Sequence, residues 1–233
     1  MRIEPEISGV NIIILGKFNP AIFTPAWFAL HNLLPQSAAD SANLGIAHQH
    51  VTAFSTDWLR LEVSTERFFA ETLQAPNVRL RDLVVSVFNK HLYHTPLNAL
   101  GINRSVHFQV RSMAARDLLG RALAPVETWG AWGHELGSTG EDGGMTSLTM
   151  TQVDPEGRPP GGRVNVKVEP SNRIGQGRLG VYVEVNDHYA IDDTSPSAGK
   201  QLMRLLKDNF DESLSRSDGI IDHLMSLAVS TEV

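Results

Sequence analysis

The chain reads as an α+β protein of antiparallel sheets with packed helices, and its strand pattern further suggests two repeated βββα-like units. Three observations lead there. Short β-branched runs with period-two alternation recur along the chain. Two long segments, 77–92 and 197–227, carry apolar residues at helical spacing. A meander of three strands precedes each of these segments, an echo of topology rather than of residue identity.

Residues 10–15 are apolar and β-branched, interrupted by Asn11 and closed by Gly16, and give the first strand. Asn19 and Pro20 mark a turn. Thr24 before Pro25 predicts an N-cap with proline at the first helical position. That helix carries Trp27, Phe28, Leu30, Leu33 and Leu34 and ends before Pro35. Residues 36–45 are small and polar, which suits a helical turn or a crossover. Strands follow over 49–55 and 58–63, joined by Thr56 and Asp57. Residues 65–73 fit a short strand or a helical turn. Leu80, Leu83, Val84, Val87, Phe88 and Leu92 then describe a helix begun at Asn77 and ended by Pro96. A strand over 103–110 sets Val106, Phe108 and Val110 against His107 and Gln109.

In the second half, Leu118, Leu119 and Leu123 mark a helix over 114–124. Residues 129–144 are glycine-rich and read as a long loop pinned by Trp129 and Trp132. Strands are expected over 146–153, 163–169 and 179–185, the last continuing over 188–191 beyond a turn or bulge. The connection 154–162 has turn chemistry, and 158–162 reads as a mobile hairpin tip. Ser197 caps the last helix. Its stripe of Leu202, Leu205, Leu206, Phe210 and Leu214 is interrupted at Gly219 and resumes over 220–227. No linker of disordered composition separates the halves, so residues 1–233 are expected to form one domain. Two intimately packed halves, about 1–111 and 112–233, are the alternative division.

With 233 residues and 25.6 kDa, a fold of this size buries roughly 70% of the unfolded chain's surface, enough for a core without staples. The net charge of -6 works against non-specific binding to nucleic acid or to an anionic membrane. Cysteine is absent, which removes disulfides, thiolate nucleophiles and cysteine metal sites. The N-terminus lacks the pattern of a secretory signal, and the apolar cluster 10–15 is too short to span a bilayer. A cytoplasmic location without membrane partners is the expectation.

Several residues invite chemistry. His48 with His50 and His91 with His94 share faces of a strand and a helix, but neither pair has a third close ligand. His134, Glu135 and Asp142 could form an acid–base group in the glycine-rich stretch. The run Gly175–Gly180 has phosphate-loop spacing but opens a strand, so a β-turn is the better reading. Asp192 and Asp193 with Asp187 fit a solvated strand end better than a cation site. Arg104, Arg111, Arg116 and Arg121 cluster in sequence between a strand and a helix, but on the helical part Arg116 and Arg121 are five apart and form no tight stripe. No metal and no cofactor is expected. The candidate ligand-binding residues are Arg60, Glu62 and His107 from neighbouring strands, with Trp129, Trp132 and His134. The expected function is a non-catalytic interaction or assembly protein whose partner is another protein or a second copy. The alternative is a small-ligand-binding protein or enzyme with a pocket between sheet and helices.

Overall fold

The structure, a computed structural model, describes residues 3–138, 144–175, 179–191 and 196–229. The alternating segments form nine strands: β1 (Ile7–Gly16), β2 (Asn43–Ala47), β3 (Val51–Ser55), β4 (Arg60–Ser64), β5 (Arg67–Thr72), β6 (Leu97–Gln109), β7 (Leu148–Val153), β8 (Gly162–Pro170) and β9 (Gly180–Ala190). The helices are α1 (Pro25–Leu30), α2 (Gln36–Asp40), α3 (Val78–Ser86), α4 (Met113–Leu123), α5 (Gly130–Ser138) and α6 (Pro196–Ser226).

All nine strands share one antiparallel sheet in the order β2-β3-β4-β5-β1-β6-β9-β8-β7. At its centre β1 pairs with β6, from Ile7 opposite His107 to Gly16 opposite Leu97. Outward from β1 come β5, β4 and β3, and outward from β6 come β9, β8 and β7. The two meanders therefore meet edge to edge through β1 and β6.

Side chains alternate across a strand, so register fixes each face. Ile12 stands opposite Ala70 and Ile102, and Leu61 opposite Phe54 and Ala70. These residues face the helices. The first core joins them to Phe18, Phe23, Phe28, Phe68 and Phe88, with ring centroids 5.1 Å apart for Phe68 and Phe88 and 5.7 Å apart for Phe23 and Phe68. A second core gathers Val106, Phe108, Val164, Val168, Val181, Val183 and Val185 under Leu119 of α4. α6 serves both, through Leu202, Met203, Leu206 and Phe210 in the first and Ile221 and Met225 in the second.

Polar groups stand on the helix-covered face as well. Asp187 of β9 is 1% exposed and pairs with Arg158 at 2.5 Å. Arg104 pairs with Asp218 of α6 at 2.8 Å and donates to the Gly9 carbonyl at 3.1 Å. Ser213 and Ser217 occupy the buried line of α6 between its two apolar stretches.

The elements differ from the sequence reading at definite points. Thr24 caps α1 by accepting from the Trp27 amide, but α1 stops at Leu30. The stretch 36–45 contains both α2 and the start of β2, and 65–73 holds β5. α3 passes into a π-helical turn over Val87–His91. β9 runs unbroken through His188, and α6 runs unbroken through Gly219. Ser197 lies inside the first turn of α6, which begins at Pro196.

Two expectations are corrected. The segment read as a long loop from Trp129 is helical over Gly130–Ser138, after a 3₁₀ turn over Val126–Trp129. Gly133 makes this possible, since a Cβ there would stand 1.9 Å from the Val126 carbonyl oxygen. The rings of Trp129 and Trp132 contact each other at 5.6 Å, and the two residues are 60% and 57% exposed rather than buried as anchors. The segment read as a mobile tip is tied down, because Arg158 is drawn into the interior and Arg216 donates to the Gly157 carbonyl at 2.7 Å. An arginine in a turn looks solvated until a buried partner such as Asp187 is known.

Arg158→Ala should cost about 3–5 kcal/mol in urea unfolding, because it strands a buried carboxylate. Combining Arg158→Met with Asp187→Leu should recover most of that loss, and a loss below about 1 kcal/mol for the single variant would deny the pair its weight. Phe210→Ala should cost about 3–5 kcal/mol, whereas the exposed Lys207→Ala should stay within about 0.5 kcal/mol. Gly219 has no atom within 4 Å of an added Cβ, so Gly219→Ala should stabilise the helix by about 0.5–1 kcal/mol.

Candidate functional site

The face of the sheet opposite the helices is polar, and its organising feature is one row of side chains crossing seven strands. Register sets Arg60 opposite Glu71, Glu71 opposite Asn11, and Asn11 opposite Asn103. The row continues from Asn103 to Asn186, Asn165 and Thr151. Asn103 Nδ2 donates to Asn11 Oδ1 at 2.7 Å, and Asn186 Nδ2 donates to Asn103 Oδ1. Asn165 Nδ2 donates to Asn186 Oδ1 at 3.1 Å, and Thr151 Oγ1 donates to Asn165 Oδ1 at 2.8 Å. Gly101 leaves room for this ladder, since its Cβ would stand 2.9 Å from Asn186 Nδ2.

Beside the row lies a trough of about 350 Å³. Asn11, Glu71, Ser105 and His107 form its floor on β1, β5 and β6. Arg60 and Phe69 stand at one side on β4 and β5; Tyr182, Glu184, Lys167 and Glu169 stand at the other on β9 and β8. Asn172 and Arg173 close the end beyond β8. Its charged groups balance, with Arg60, Lys167 and Arg173 against Glu71, Glu169 and Glu184.

The floor is more buried than an open face requires. Asn11, Glu71, Ser105 and His107 are each at most 9% exposed. Asn11 spends its oxygen on the ladder, and neither its amide N–H groups nor the Ser105 hydroxyl has a hydrogen-bond partner among the described residues. Glu71 has only the Arg60 guanidinium, at 3.5 Å, and Arg60 leans also toward Glu62 at 3.8 Å. His107 Nδ1 lies 2.8 Å from Ser171 Oγ, and that oxygen accepts the backbone N–H groups of Arg173 and Ile174 at 3.1 and 3.2 Å. The serine proton is then the one available for His107 Nδ1, which assigns the imidazole hydrogen to Nε2. The His107 ring stacks at 4.7 Å on Tyr182, whose hydroxyl donates to Glu184 at 2.6 Å. Burial and the Glu184 carboxylate push the Tyr182 phenol pKa up, so it stays a donor.

Arg60 and His107 of the sequence-derived candidates line this trough. Glu62 lies beside it, bound to Arg60 and, at 3.7 Å, to Arg67. Trp129, Trp132 and His134 are not part of it; their segment, through Val126 and Leu136, lines a cleft of about 70 Å³ between α4 and the sheet. That cleft lies between sheet and helix, whereas the trough lies on the opposite face of the sheet.

The remaining candidates do not converge. His48 and His50 contact each other at 5.3 Å, whereas His91 contacts His31 at 4.4 Å rather than His94. Among the described residues no group of three or more His, Cys, Asp or Glu is placed to hold a metal ion. Asp142, Asp192, Asp193 and residues 176–178 of the glycine run lie outside the described residues. No helix among the described residues is long and apolar enough to cross a membrane. No protein-family model and no curated protein matches the chain, so the residues themselves carry the functional reading.

Burial, and secondarily Arg173, lowers the His107 pKa; burial and then Arg163 lower that of His188. A histidine with a depressed folded pKa takes up more protons when unfolded. Its stabilisation is complete above the ordinary value of 6.5 and is lost as pH falls through the folded value. The urea midpoint should therefore fall as pH is lowered from about 7.5 to about 5.5, and His107→Gln should flatten that slope. An unchanged slope in the variant would remove His107 from the account.

Proposed function

We propose that the protein is a non-catalytic binding protein that takes a small polar ligand in the trough on the open face of its sheet. The observation that carries this reading is the floor: Asn11, Glu71, Ser105 and His107 are nearly buried and line one cavity, with hydrogen-bonding capacity left over. The polar tips of these residues open onto the trough rather than being sealed in the core, so a ligand that supplies partners takes the place of water there. Ser171, the hydroxyl beside His107, is occupied in its turn, and the groups of the trough are arranged to hold rather than to react. The balanced charges of the rim favour a neutral or zwitterionic ligand over a polyanion, in keeping with the acidic chain.

A second reading, assembly with another copy, is favoured by the β7 edge. Its residues, Leu148 to Val153, carry no charge or proline, and Met150 and Val153 are 63% and 60% exposed. Unprotected edges of this kind pair readily, and two copies of β7 would meet no like charges. The matching strand order on both sides of β1 and β6 further supports reading the two halves as a repeated unit, with β6 opening the second copy.

A thermal-shift screen of amino acids, short peptides, sugars and small carboxylates tests the main reading. Ligands that raise the melting temperature of the wild type should leave Ser105→Leu, whose floor is filled, unmoved. At about 100 times Kd the stabilisation is about 2.7 kcal/mol. Equal shifts in both proteins would place binding elsewhere. Light scattering tests the second reading: Thr149→Lys should convert a dimer to a monomer, and a monomeric wild type would end it.

A further inference from the structure

We propose that the trough takes an extended short peptide with free termini, its amino group at Glu71 and its carboxylate at Arg173. This rests on the reading of the trough as a binding site and names the ligand class. The chemistry of the floor runs in one direction. At one end is the Glu71 carboxylate, 8% exposed and without a hydrogen-bond donor among the described residues. Its 3.5 Å approach to Arg60 is an ion pair but lies beyond ordinary hydrogen-bond length, and Arg60 is 52% exposed. An ammonium group brings three N–H donors to such a carboxylate.

Next come groups that each have a donor to offer. Asn11 offers its amide N–H groups, Ser105 its hydroxyl, and His107 its Nε2–H. A run of donors matches a run of carbonyl oxygens. At the far end stands Arg173, which lines the trough and has no ion pair among the described residues. Guanidinium groups bind carboxylates in a two-pronged geometry. Anion, donors and cation in sequence are the complement of a peptide read from amino to carboxyl terminus.

Length agrees with this assignment. From the Asn11–Asn103 row to His107 is a step of four residues along β6, roughly 13 Å at strand rise. An extended chain covers at most about 3.3–3.6 Å per residue, so four residues cover this step, and three do so when the long Glu71 and Arg173 side chains reach in to meet the termini. A neutral sugar would leave both charged ends of the trough, Glu71 and Arg173, uncompensated.

Isothermal titration with trialanine, N-acetyl-trialanine and trialanine amide tests the proposal on the full chain. Trialanine should bind one to one, and either blocked peptide at least about tenfold more weakly, about 1.4 kcal/mol. Glu71→Gln, which keeps the shape of the side chain, should weaken trialanine by a similar factor. It should leave the acetylated peptide unaffected. Arg173→Ala should do the same for the carboxylate and spare the amide. Equal binding of blocked and free peptides, or no binding of trialanine by a folded wild type, overturns the proposal. If trialanine fails while another screened compound binds the wild type and not Ser105→Leu, the peptide class falls and the trough remains a site. If no compound binds, both fall.

Discussion

The antiparallel pairing of β1 with β6 decides which surfaces this protein has. It joins two meanders edge to edge into one sheet, so a single set of alternating residues faces the helices across the whole width. Ile12, Ile102 and their neighbours meet α6, α3 and the aromatic cluster on that side. Because the period of a strand is two, the same register delivers Asn11, Asn103 and His107 to the other side. A slip of one residue would bury the asparagines under α6 and expose the isoleucines. Register in the centre of the sheet is therefore bound up with both the core and the site.

Asparagine is a poor strand residue, and a row of four of them across neighbouring strands needs a reason. Here each side-chain amide meets the next, from Asn11 through Asn103 and Asn186 to Asn165, and the row ends on Thr151. Such cross-strand pairs contribute modestly one by one, but together they fix the amide orientations, and a fixed amide is a prepared donor. Asn11 is the end of the ladder nearest Glu71, and its N–H groups are the ones not consumed by it. The ladder thereby connects the stability of the sheet to the chemistry of the trough.

Much of the architecture was legible in the sequence because it depends on local patterns. Alternation identified most strands, Thr24–Pro25 the start of α1, and the Leu202–Phe210 stripe the covering helix. What escaped was of two kinds. Long-range pairing is invisible to local pattern, so nothing in the sequence marks Glu71 rather than Glu62, also on a neighbouring strand, as the acid beside the trough. The fate of Arg158 depended on Asp187, distant in sequence. The other kind is a pattern that the sequence does carry. Asn11, Asn103, Asn165 and Asn186 each follow a β-branched residue in a strand, Val10, Ile102, Val164 and Val185. Four such dipeptides at outward positions foretold a polar row, although only the sheet order could show that they meet.

If the trough binds a ligand as proposed, its polar floor must register that ligand. NMR of the asparagine side-chain amides tests it most directly, because these groups report on both the ladder and the ligand. On titration with trialanine the Asn11 side-chain signals should move progressively and saturate. Those of Asn165, near the outer end of the ladder, should stay nearly still. Perturbations confined to α4 or α6, or an Asn11 signal unmoved while the peptide binds, would contradict the account and place recognition on the helix-covered side.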